Sequence, residues 1–87
     1  MLKNLKIENS DQLEFAIVSI ENIAKELGKT ADEVYSNLTK QSDILNSYII
    51  PEYEVLHTQS KEYIVNDIIN VMKDRGIKIW FYITDLI

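Results

Sequence analysis

Residues 10–27, SDQLEFAIVSIENIAKEL, set the architecture of this chain. Within them Leu13, Ala16, Ile17, Ile20, Ile23, Ala24 and Leu27 recur at steps of three and four, which is the period of an α-helix with one apolar stripe turned to a core. Ser10 reads as the N-cap, Asp11 and Glu14 place negative charge near the positive end of the helix dipole, and Gly28 follows as a residue free to take the left-handed conformation that ends a helix. Phe15 and Val18 lie off the main stripe, which predicts a helix covered on two sides.

Working outward, Thr30 followed by Glu33 has capping-box spacing and starts a second helix at Ala31 that turns Val34, Tyr35 and Leu38 inward and fades near Lys40 or Gln41. Ser42 or Asp43 caps a third, shorter turn through Ile44, Leu45 and Tyr48, and Pro51 disfavours helical backbone at Ile50. Gln59 or Ser60 opens the last helix, over 61–75, where Tyr63, Ile64, Val65, Ile68, Ile69, Val71 and Met72 occupy more than half the circumference, the pattern of a central or interfacial helix. Beyond Gly76 the period changes to two: Ile77, Ile79, Phe81 and Ile83 alternate with Lys78, Trp80, Tyr82 and Thr84, which predicts a strand within 77–84. A lone strand leaves its backbone groups unpaired, so it needs residues 2–7, a second copy or another protein beside it. The expected fold is mainly α, a compact bundle of about four helices with a short C-terminal β-strand, in one domain over 1–87 whose core spans 10–76.

Composition narrows the function. A chain of 87 residues buries roughly 64% of its unfolded surface, enough for one small core. With no Cys and one His it offers no disulfide framework, no thiolate metal site and no cysteine nucleophile. The net charge of −5 is uneven: residues 8–54 hold ten acids against three lysines, while 55–87 are neutral. That half suits a basic partner and disfavours nucleic acid or an anionic membrane. No secretory signal is visible at the start, and the longest apolar run, 79–83, is far short of the ~20 residues of a spanning helix. A soluble, cytoplasmic protein is the expectation.

Three constellations could carry chemistry. Ile23, Ala24, Leu27, Gly28 and Val34 have helix-turn-helix spacing, but the recognition helix would present Asp32, Glu33, Ser36 and Asn37, with Lys40 as its only base. Two packed helices is the simpler account. His57 has no second histidine to join it in a metal site; Glu54, three residues earlier, suggests a local ion pair, and Tyr53 and Thr58 beside it suggest a polar recognition patch. A hydrolase lacks its parts, since Gly occurs only at 28 and 76 and no Gly-x-Ser-x-Gly elbow or phosphate loop exists. No enzyme activity, metal or cofactor is therefore expected. Among the aromatics Tyr63 reads as core, whereas Trp80 and Tyr82, opposite Phe81 on a strand apolar on both faces, read as interface and suggest a homodimer.

The segment 50–59, IPEYEVLHTQ, with Glu62-Tyr63-Ile64-Val65 and Asp67-Ile68, resembles a bacterial family of small domains of unknown function, number 3791. The similarity runs from about Phe15 through Leu27-Gly28 and Val34-Tyr35 to Gly76, and Leu56-His57-Thr58-Gln59 with Tyr63 is its most specific part. The resemblance implies a small helical fold, no established catalytic role, and members often encoded beside ADP-ribosyltransferase-like proteins. It marks Tyr53, Leu56, His57, Thr58, Gln59 and Tyr63 as partner-binding positions, to which Trp80 and Tyr82 add the tail. For Thr58 and Gln59, which directly precede the last helix, capping is the competing role. The function expected is that of a non-catalytic protein-binding module, antitoxin-like toward such a neighbour. The alternatives are a helix-turn-helix DNA-binding regulator and an orphan enzyme using His57.

Overall fold

A computed structural model describes residues 7–77. Four α-helices and one π-helical turn follow in order: α1 (Ser10–Leu27), α2 (Ala31–Thr39), the π-turn (Leu45–Ile49), α3 (Tyr53–Leu56) and α4 (Lys61–Asp74). The chain is mainly helical, and α1 is the element on which both α2 and α4 pack. The strand over 77–84 is not supported: Ile77 belongs to the end of α4, and the rest of that segment, with Trp80 and Tyr82, lies outside the described residues.

Each helix boundary has a local cause. The N-cap of α1 is Asn9, not Ser10, because the Asn9 side chain takes the N–H of Gln12 at 2.9 Å and leaves Ser10 free to begin the helix. Gly28 stands at φ 66°; its N–H reaches the Lys25 carbonyl and that of Lys29 reaches Ala24, the paired closure that a left-handed residue permits. Gly76, at φ 79°, repeats the device after α4: its own N–H goes to Lys73 and that of Ile77 to Met72. Thr30 and Glu33 form the full reciprocal capping box at the start of α2. Ser60 alone caps α4, accepting the N–H of Tyr63 at 3.1 Å.

Ile44, Leu45, Ile49 and Ile50 are all buried, and they recur at a step of five. An α-helix would turn these two pairs to different faces; a π-turn, with its i→i+5 bond from the Ile50 N–H to the Leu45 carbonyl at 3.0 Å, sends both into the core. Ile50 is helical (φ −67°, ψ −48°) despite the proline after it. The steric preference against that conformation is overridden here by the burial of Ile49 and Ile50. No side chain caps this turn; instead the Ser42 hydroxyl accepts the N–H of Ile44 and donates to the Asn37 carbonyl, which ties the turn to α2.

The core joins Ile23 of α1, Val34 and Leu38 of α2, the Ile44-Leu45 and Ile49-Ile50 pairs around the π-turn, and Ile68 and Met72 of α4. Ile17, placed on the buried stripe by periodicity alone, is 43% exposed, at the rim of a hollow that it lines with Ala31, Asp32 and Tyr35 of α2. Tyr63, read as core, is 52% exposed: Val65, Ile68, Ile69 and Met72 take the buried face of α4.

Candidate functional site

The site is built on α1 and the single turn of α3. Leu56 is buried and anchors α3, whereas Val55 and His57 stay exposed. Tyr53, one turn before His57, meets Phe15 edge-on, with ring centroids 5.3 Å apart at 74°, and stacks on the His57 ring at 4.5 Å and 15°. Phe15 lies off the main stripe of α1 because it faces this turn. His57 therefore packs on an aromatic ring instead of pairing with Glu54, and the ion pair expected from their spacing does not form: stacking on Tyr53 fixes the imidazole on the α1 side.

Between these elements runs a shallow groove. Its first part, about 260 Å³, is lined by Asp11, Glu14, Phe15, Val18, Tyr53 and His57. It continues through Phe15 and Val18 to Ser19, Asn22, Lys61 and Ile64, a further stretch of about 210 Å³. Val18 is 45% exposed, so an apolar side chain of α1 stands open to solvent in the middle of the groove. Partial burial and then the negative charge of Asp11, Glu54 and Glu14 raise the Tyr53 phenol above its ordinary value, which places three carboxylates around one aromatic ring. Among the described residues neither Asp11 nor Glu14 has a cationic partner; the ion pair found there joins Arg75 to Asp43.

The positions singled out in the sequence are thus divided. Tyr53 and His57 line the groove. Leu56 holds their turn from beneath. Thr58 donates its hydroxyl to the Val55 carbonyl at 2.8 Å and the Gln59 N–H goes to Leu56, so both finish α3 and neither caps α4. Tyr63 lies away from the groove, on the side of α4 near Tyr48. Asn37, taken as exposed on α2, is buried, and its side-chain amide donates to Gln41.

Two long-range polar links were not legible in the sequence. The Tyr48 hydroxyl donates to Asp67 Oδ2 at 2.5 Å, and this hydrogen bond, with burial second, pushes the phenol up to about 12. Arg75 donates to Asp43 at 3.1 Å and to the Ser47 hydroxyl at 2.8 Å. Together they fasten the π-turn to α4. Their partners are 19 to 32 residues apart, and no local spacing signals them. Among the described residues no group of three or more His, Cys, Asp or Glu could hold a metal ion, and no helix is long and apolar enough to cross a membrane.

No curated protein and no solved structure gives a significant match to the chain. A family model does, over residues 14–75, beginning at the Glu14 of the groove and ending at the Arg75 that closes on Asp43. This is the family that the 50–59 segment resembles, and its bounds lie within one residue of those read from the sequence. With α2, the π-turn, α3, α4 and most of α1 inside the match, the chain belongs to the family described as "Protein of unknown function (DUF3791)".

Proposed function

We propose that the chain is a non-catalytic protein-binding module that restrains an ADP-ribosyltransferase-like partner by steric contact, in the manner of an antitoxin, in the cytoplasm. The observation that carries this reading is an apolar groove, open at Val18 and rimmed by Asp11 and Glu14, in a chain whose residues 8–54 are strongly acidic. Apolar side chains left in water at the centre of a charged rim are the composition of a docking surface. Self-association into a homodimer belongs to the same reading, since Ile17 borders a second apolar hollow of about 130 Å³ between α1 and α2.

Two other readings draw less support. A DNA-binding role would use α2, but its first turn offers Asp32 and Glu33, and Asn37, which would have to reach a base, is buried. An enzyme using His57 would need a partner for the ring; the imidazole is stacked on Tyr53 and its ring makes no hydrogen bond among the described residues. Co-expression of the tagged chain with the ADP-ribosyltransferase-like proteins encoded beside family members, followed by affinity capture, tests the proposal. A stoichiometric complex is expected; its absence across several such pairs would sink the idea.

A further inference from the structure

We infer that the groove receives an arginine-led apolar segment of a partner protein: the guanidinium seats at Asp11 and Glu14 against the stacked Tyr53 and His57 rings, and the apolar side chains that follow lie along Phe15, Val18 and Ile64. The inference rests on the protein-binding reading and names the chemistry of the contact. Charge complementarity sets the leading residue. Asp11 and Glu14 flank the mouth without a cation of their own among the described residues, and Glu54 adds to the negative field on Tyr53. At the far end Lys61 stands near Glu26 and Glu62, so the charge there is mixed and the preference for a cation is set at the Asp11 end.

Geometry selects arginine over lysine. The His57 ring is exposed and stacks 15° from parallel on Tyr53, so the face turned from Tyr53 is a planar π-surface beside carboxylates, a combination that a flat guanidinium satisfies by stacking and by forked hydrogen bonds at once. Along α1 the distance from Asp11 to Asn22 is about 17 Å, from the helical rise, which accommodates about five residues of extended chain. Phe15 and Val18 supply the apolar floor midway.

The test uses the full ¹⁵N-labelled chain at low salt and two capped pentapeptides, each with two alanines and two leucines, led by arginine in one and by its neutral isostere citrulline in the other. The arginine peptide is expected to shift the amide signals of Glu14, Phe15, Val18, Tyr53 and His57 and to saturate in the range of about 1 mM. Citrulline should weaken binding about tenfold, and so should the double variant Asp11→Asn, Glu14→Gln for the arginine peptide alone. Equal binding of both peptides, an unaffected double variant, or shifts confined to another face would overturn the inference. A change in Trp80 emission on titration would show the chain's own tail in the groove, and dissociation of a dimer would show a second copy there; either also overturns it. If these outcomes occur while capture of an ADP-ribosyltransferase-like protein succeeds, the groove assignment falls and the protein-binding reading stands.

Discussion

Replacing Tyr48 by Phe removes one oxygen from the joint between the π-turn and α4 and leaves the ring in place. In the native protein that oxygen donates to Asp67 at 2.5 Å, and the phenol is pushed up from 10 to about 12. That rise corresponds to at most about 2.7 kcal/mol, but both partners are only half-buried, and solvent screening brings the expected loss to about 1 kcal/mol. Urea unfolding followed by helical circular dichroism at pH 7 should show a lower midpoint at unchanged slope, and thermal melting a drop of about 4–8 °C for a chain of this size. The pH dependence has a definite sign. Because the folded pKa is raised, the hydrogen bond contributes fully below pH 10, and the contribution is lost as pH rises from 10 through about 12. The stability difference between wild type and Tyr48→Phe should therefore be flat from neutral pH to just below 10 and shrink above it. Equal stability of the two proteins at pH 7, or a difference that persists undiminished at pH 12, would refute the reasoning.

Other perturbations have expected outcomes of the same kind. Thr30→Ala removes the cap of α2 and should cost about 1 kcal/mol by urea titration. The Thr30 N–H and then its hydroxyl hold Glu33 below the usual 4.5, so the Glu33 contribution is present above that value and lost as pH falls through the lowered one; Thr30→Ala removes the hydroxyl and keeps the N–H, so it should make this acid limb shallower without abolishing it. Leu38→Ala, at a fully buried site, should cost about 2–5 kcal/mol and show as a large fall in melting temperature. Gly28→Ala meets no atom within 4 Å, yet forces φ near 66° on a residue with a Cβ and should cost about 1–2 kcal/mol by the same measurement.

What could be read without coordinates, and what could not, divides along the range of the interactions. The span of α1, its stop at Gly28 and the Thr30–Glu33 box were legible because each is decided within four residues by backbone hydrogen bonding. The π-turn was not, although its signal is present: Ile44-Leu45 and Ile49-Ile50 recur at five, whereas steps of three and four run a turn through Ile44, Leu45 and Tyr48. The groove was half legible. Tyr53 and His57 were singled out, but the partner that makes them a site is Phe15, 38 positions before Tyr53, and only the packing of α3 on α1 reveals why Phe15 lies off the stripe; Val18, expected to be covered with it, is 45% exposed. Thr58 and Gln59 misled because residues before a helix are expected to cap it; Ser60 already did so, leaving them to close α3.

The central claim, that the α1–α3 groove is a protein-docking surface, is tested most directly by mixing the full chain, wild type or Val18→Asp, with a purified ADP-ribosyltransferase-like protein encoded beside a family member and measuring complex mass by light scattering. Val18 is 45% exposed, so the substitution leaves the core untouched and places a charge in the groove. A defined complex with the wild type that the Val18→Asp chain fails to form, at unchanged helical content, is the predicted result. No complex with either chain, or an equal complex with both, would contradict the account.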